Sequence, residues 1–359
     1  MVIADQIALT APHSPLSTSI KSNLYQKVCR KKWRSDLVIF VPILLIVTMV
    51  SSLFNTIQSV TISALERLSI KSGRRPWLIF VAAISAAVVW SAIAIPAQAY
   101  QFQILPSSPV RGDTLSVVIR TETAGEAPTV TVGGETYPSF LLSGNRYRAF
   151  IPTSPNTKAG KLTLQINGSE GNENVAVNIG ARNFPTQYIT LSGASADLEG
   201  TDYEFDRLDE LRALRTPERY WNGPMGRPST GYISSTYGLQ RYYNGVFAED
   251  YYHRGVDYAA GNGSPIYAPA AGKIIVVGRV EDGFELNGNT IGIDHGQGVT
   301  SVMIHLSGFA VKEGDQVEKG QLIGYMGSTG FASGPNLHWG LFVNGVAVDP
   351  VPWRYDGIE

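Results

Sequence analysis

The chain has 359 residues, a formal net charge of −1 and 16% charged residues. It is long enough for two domains plus connectors, and it lacks the basic field that would make nucleic acid its main partner. A single cysteine, Cys29, leaves everything after residue 100 without a thiol, so neither a disulfide framework nor a thiolate zinc site is available there.

In chain order, residues 1–99 form a hydrophobic N-terminal region. A first apolar stretch, residues 37–57, follows Lys27, Arg30, Lys31, Lys32 and Arg34; a second, residues 77–95, follows Lys71, Arg74 and Arg75 and leads into Ala97-Gln98-Ala99. Positive segment, apolar core and small-x-small tripeptide together read as a secretory signal peptide over residues 70–99, with a mature chain starting near Tyr100. The core is nearly long enough to span, so an uncleaved anchor is the competing reading, and either apolar stretch offers membrane anchoring. If both spanned, Arg67, Lys71, Arg74 and Arg75 would lie outside, against the positive-inside tendency. Residues 1 to 50 or 70 therefore read as the product of a start site assigned too early.

Residues 100–190 carry short alternating runs between turn residues: QFQIL, TLSVVIRTE, TVTVGG, RYRAFIP, KLTLQING, NVAVNIG and QYITL. These predict a small immunoglobulin-like β-sandwich. Residues 191–231 read as a linker, in which Phe205, Leu208, Leu211 and Leu214 recur every three positions and predict a short amphipathic helix. Residues 232–359 return to glycine-bounded strands, with a hairpin turn at Asp294-His295-Gly296-Gln297-Gly298, and predict a compact antiparallel sheet or barrel with its site in a groove. The fold class is mainly β.

Any metal in this last segment must be held by histidine and carboxylate, and four of the five histidines lie there. His253 and Asp257 are four apart in YYHRGVDYAAG, on one face of a strand or helix. Alone the pair is weak. With His338 it becomes a two-histidine, one-carboxylate set, a ligand type of catalytic zinc, where water takes the fourth position. Asn336 shares the strand face of His338, being two residues away. His305 alternates with Val302 and Ile304 and reads either as a site residue or as a partly buried strand-end histidine. His295 reads as structural or solvated. Tyr251, Tyr252, Phe331 and Trp339 read as packing more readily than as groove lining.

The segments HRGVDYAAGNGSPIYAPAAGKIIVVG, NTIGIDHGQGVTSVMIHLSGFAVKEGDQVEKGQLIGYMGSTG and SGPNLHWGLFVNGVAVDP resemble the LytM/lysostaphin zinc metallopeptidases, peptidase family M23. The resemblance covers Tyr232 to Pro352, and the sandwich ahead of it resembles that of exported bacterial members. It implies a C-terminal LytM-like β-sheet groove domain that cleaves peptidoglycan peptides, with Zn2+ on His253, Asp257 and His338 and with His305 beside the scissile carbonyl. Asn336 departs from the family's GPHLHW, where a second active-site histidine stands. An amide can donate and accept a hydrogen bond but cannot titrate near neutrality.

Two functions stay open on this reading. One is a zinc endopeptidase in the periplasm or cell envelope, with His305 and Asn336 as catalytic groups. The other is a catalytically impaired LytM-like wall-binding or amidase-regulating module, with cell-wall amidases or division proteins as its partners. The run VKEGDQVEKGQLIG also resembles biotinyl/lipoyl carriers, but DHGQGVTSVMIH has no lysine to modify, which sets that reading aside. Mass spectrometry of the native protein is expected to place its N-terminus near Tyr100; a peptide from residues 1–48 would contradict the early-start reading.

Overall fold

The computed structural model describes residues 100–190, 198–249 and 251–355. The signal-peptide segment and both apolar stretches lie outside the described residues. Among those described, no helix is long and apolar enough to cross a membrane.

Seven strands come first: β1 (Gln101–Leu105), β2 (Thr114–Arg120), β3 (Thr129–Val132), β4 (Glu135–Ser143), β5 (Arg146–Pro152), β6 (Gly160–Gly168) and β7 (Gly171–Ile179). They pair antiparallel in the order β1-β2-β5-β4-β3-β6-β7. Strand β4 serves both ends of this path: residues 135–138 pair with β3 and residues 139–143 with β5. The strands enclose one core, built from Leu115, Val117 and Ile119 on β2, Ala149 and Ile151 on β5, and Val130, Leu164 and Ile166 opposite. Alternation along β2 and β6 supplies that apolar face. The sequence patterning missed β4, because Pro138 reads as a strand breaker; here it sits where the strand changes partner.

The seventh run of the expected sandwich, QYITL, goes elsewhere. It forms β8 (Thr186–Ile189). After it come helix α1 (Asp202–Arg212) and strands β9 (Tyr232–Ser235), β10 (Gln240–Tyr243) and β11 (Val246–Phe247). Strand β8 pairs in parallel with β10, and β10 forms a hairpin with β11. Alternation identified the strand but carries no information about its partner.

Thr201 caps α1 with a full capping box, its hydroxyl on the Glu204 N–H and the Glu204 carboxylate on the Thr201 N–H. The buried face is Glu204, Leu208 and Leu211, whereas Phe205 stays 42% exposed. The expected apolar stripe was therefore wrong at its first position, where a carboxylate is buried in place of a ring.

The remaining strands are β12 (Val256–Ala259), β13 (Pro265–Tyr267), β14 (Gly272–Gly278), β15 (Asn289–Gly296), β16 (Val299–Phe309), β17 (Gln316–Val317), β18 (Leu322–Met326), β19 (Asn336–Val343) and β20 (Val346–Val348). The main path of their sheet runs β17-β14-β15-β16-β19-β12-β9. Pairing within it is antiparallel. The expected hairpin is the β15–β16 connection. The sandwich packs directly on this sheet: Arg148 donates to Gln297 Oε1 at 3.0 Å, Asn344 donates to the Phe150 carbonyl at 2.8 Å, and Arg182 pairs with Asp349 at 2.7 Å.

His295 is structural and fully buried. Its Nδ1–H donates to the Ala271 carbonyl at 2.9 Å, and its Nε2 accepts from Ser301 Oγ at 2.8 Å. Ser301 Oγ in turn accepts from Trp339 Nε1 at 3.1 Å. This chain of donors holds one neutral tautomer, and burial pushes His295 down to about 4. On acidification the unfolded chain takes up this proton first, so stability is full above about pH 6.5 and falls toward pH 4, by about 3 kcal/mol over the window. Thermal melts are expected to show this loss, and His295→Gln is expected to flatten the slope across that window whatever it does to the absolute melting temperature.

Candidate metal centre

Strand register builds the centre. On β12 and β19, Asp257 and His338 are direct cross-strand partners, so their side chains lie side by side on one face. His338 Nδ1 stands 2.8 Å from Asp257 Oδ1. His253 comes from the loop ahead of β12 and reaches both, its Nε2 lying 3.0 Å from Asp257 Oδ1 and 3.0 Å from His338 Nδ1. Gly255 makes this approach possible: a Cβ there would lie 2.3 Å from the Trp339 carbonyl oxygen and 2.8 Å from His338 Cε1.

A backbone carbonyl sets the tautomer. His253 Nδ1 lies 2.8 Å from the Thr236 oxygen, which can only accept, so Nδ1 carries the proton and Nε2 presents a lone pair. Three candidate ligand atoms thus converge, within 4.8 Å of one another and all on buried residues. Asp257 Oδ2 is also buried and has no hydrogen-bond partner among the described residues. A carboxylate oxygen and two ring nitrogens gathered on buried residues suit a shared cation, and a histidine ligand ordinarily gives its other N–H to such a carbonyl.

Burial would push the Asp257 carboxyl up, but His253 and His338 hold it well below the ordinary carboxylate range. Burial pushes His253 down; Asp257 pulls it up, the Arg241 guanidinium pushes it down again, and the net direction is down. The result is a carboxylate beside an imidazole that resists protonation, which is the state that binds metal.

Asn336 lies two residues before His338 on β19, opposite Ala259. Its Nδ2 donates to the Gly334 carbonyl at 2.8 Å, while its buried Oδ1 has no hydrogen-bond partner among the described residues. His305 is not part of the converging trio. It follows Ile304, the cross-strand partner of His338, and sits in a bulge where residues 304 and 305 oppose the single residue 290. Its φ is 70°, the left-handed region that a bulge uses to re-aim a side chain. The His305 N–H donates to the Asn287 carbonyl at 3.1 Å and its Nδ1–H to the Thr329 carbonyl at 2.9 Å, so Nε2 is the basic nitrogen. Tyr251, Tyr252, Phe331 and Trp339 are all buried in the core.

Sequence reasoning missed Thr236, Arg241 and Gln187. Arg241 on β10 is 1% exposed and donates from Nε to Gln187 Oε1 at 2.9 Å, its parallel cross-strand partner on β8. An arginine in the run QRYY, inside a strand otherwise ready for burial, was the one available signal.

An antiparallel sheet burying a two-histidine, one-carboxylate centre is an arrangement of the metallopeptidase class. Comparison with known proteins agrees. Residues 251–350 match the model of peptidase family M23. A crystal structure from Pseudomonas aeruginosa assigned to peptidase M23 aligns at 30% identity with a TM-score of 0.51, covering 68% of this chain and 94% of its own. The chain belongs to peptidase family M23. It is 44% identical over 99 residues to the DD-carboxypeptidase/endopeptidase Mpg of Neisseria meningitidis, covering 28% of this chain and 22% of that protein. It is 31% identical over 191 residues to the peptidoglycan DD-endopeptidase ShyC of Vibrio cholerae, covering 53% of this chain and 41% of that protein. The chain spans about a fifth of the length of the first of these relatives.

Gly255→Ala is expected to displace His338 from Asp257 and weaken divalent-metal affinity about tenfold or more, read by competition with a chelator.

Proposed function

We propose that this protein is a zinc-dependent endopeptidase that hydrolyses peptide bonds of bacterial peptidoglycan in cell-wall remodelling, outside the cytoplasm. The observation that carries it is the convergence of His253 Nε2, Asp257 Oδ1 and His338 Nδ1, with Nδ1–H of His253 committed to a carbonyl. Three ligands on a tetrahedral zinc, at ~2.0–2.1 Å from the ion, lie roughly 3.3 Å apart, a few tenths beyond the 2.8–3.0 Å separations here. These three residues would hold the zinc. When bound, it supplies Lewis-acid polarisation of the peptide carbonyl and acidifies a water.

This chain's own groups do the rest. His305, its Nδ1–H spent on Thr329, offers Nε2 to move a proton between the attacking water and the departing amine. Asn336, its Nδ2 spent on Gly334, offers a desolvated Oδ1 that accepts a hydrogen bond from the water and orients it. The amide positions but does not titrate, so the proton traffic falls to His305. The peptidoglycan substrate rests on family membership and on the similarity to ShyC, a peptidoglycan DD-endopeptidase. Export rests on the signal-peptide pattern before Tyr100.

The test is release of soluble muropeptides from isolated peptidoglycan by the zinc-loaded protein. Release is expected, with Asp257→Ala abolishing it. Asn336→His, which adds a second titrating group, is expected to raise the rate up to about 10²-fold. A silent native protein revived by Asn336→His would instead mean a wall-binding or amidase-regulating module that kept its metal ligands.

A further inference from the structure

We infer that Glu204, on the helix ahead of the metallopeptidase sheet, is a positioning residue for His305; the inference rests on the proposed role of His305 as the proton-transfer group.

Glu204 is 0% exposed, and its own helix uses its carboxylate for a single bond, the cap on Thr201. Its two oxygens take four N–H donors. Oε1 accepts from the Thr201 and Leu286 main chain at 3.0 Å each, and Oε2 accepts from Asn287 N at 3.1 Å and Asn287 Nδ2 at 2.7 Å. One of the four closes the helix cap; the other three belong to the loop before β15. The capping threonine grips the same loop, its hydroxyl donating to the Gly283 carbonyl at 2.6 Å. The α1 N-terminus therefore clamps residues 283–287 at three points.

That loop in turn holds His305. The Asn287 carbonyl accepts the His305 N–H, and the Leu286 carbonyl accepts the Phe331 N–H at 2.9 Å. Phe331 fixes the neighbouring loop, in which the Thr329 carbonyl takes the His305 ring proton. The two loops touch so closely that a Cβ at Gly330 would lie 2.5 Å from the Leu286 oxygen. Main chain and ring of His305 are thus each anchored to a loop, and both loops trace back to one carboxylate. A non-glycine residue at φ 70° holds that conformation only when its surroundings over-determine it, and this is the over-determination. The metal trio is anchored separately, by β12, β19 and Thr236.

An ionised carboxylate only accepts, whereas the isosteric amide carries two donors. In Glu204→Gln, whichever way the amide turns, its NH2 confronts two N–H groups. The loop then shifts, and His305 with it, while the metal ligands keep their places.

The experiment compares the full-length zinc-loaded protein with Glu204→Gln and Asn287→Ala, which removes a single one of the four donors. Three quantities are read: kcat and KM for muropeptide release, zinc affinity by chelator competition, and exchange of the His305 Nδ1 proton by nitrogen-15 histidine NMR. Glu204→Gln is expected to lower kcat about 10–100-fold with KM and zinc affinity within about threefold, and to speed the ring-proton exchange about tenfold or more. Asn287→Ala is expected to move kcat and exchange the same way by a smaller factor, and it carries the test should Glu204→Gln not accumulate as folded protein. Unchanged exchange in the variants would overturn the inference, as would a loss of zinc affinity in step with kcat. If the native protein releases nothing from peptidoglycan, the endopeptidase reading fails by itself, and the proton exchange still decides whether Glu204 positions His305.

Discussion

A 2.8 Å hydrogen bond from His253 Nδ1 to the Thr236 carbonyl decides which ring nitrogen faces Asp257. A neutral imidazole has one N–H and one lone pair, and a carbonyl claims the N–H. Nε2 is then left to face a carboxylate oxygen and a second imidazole nitrogen, each 3.0 Å away and on buried residues. Such a cluster is held together by what it shares. The strand register that opposes Asp257 to His338 and the missing side chain at Gly255 serve to bring these atoms within reach of one another. The buried guanidinium of Arg241 disfavours a proton on His253, keeping the lone pair ready for a metal.

Much of what supports this centre comes from ahead of the family match, which begins at residue 251. Thr236 sets the tautomer, Arg241 biases the charge state, Gln187 holds Arg241, and Glu204 organises the loops around His305. The segment between the sandwich and the large sheet is thus less a tether than a buttress. Strand β8 reaches from the end of the sandwich to pair with β10, and α1 docks its capped end on the loop before β15. Excision of the matched region alone would leave His253 without Thr236 and Arg241, and the 283–287 loop without Glu204.

The sequence made some of this legible, and the reasons for the rest are physical. Alternation marked most strands, since apolar faces repeat every second residue, and it put Asn336 and His338 on one face. His253 and Asp257 alone made a weak pair in HRGVD, and the trio became readable only once His338 and the resemblance to the family were added to it. Strand β4 was hidden by Pro138. The partner of β8 was hidden because pairing is non-local. His305 could not be assigned a face, because a bulge interrupts the alternation at that residue. Glu204 and Arg241 were hardest: a charge on an amphipathic helix or in a strand ordinarily marks the solvent side, and only the N–H donors arriving from distant loops make burial of Glu204 tolerable.

The most direct measurement is nitrogen-15 NMR of the histidine rings with cadmium-113 in place of zinc, reading metal–nitrogen scalar couplings. The account requires couplings to Nε2 of His253 and Nδ1 of His338, with the His253 Nδ1 proton still present and slow to exchange. A coupling to His305, or to Nδ1 of His253, would contradict it.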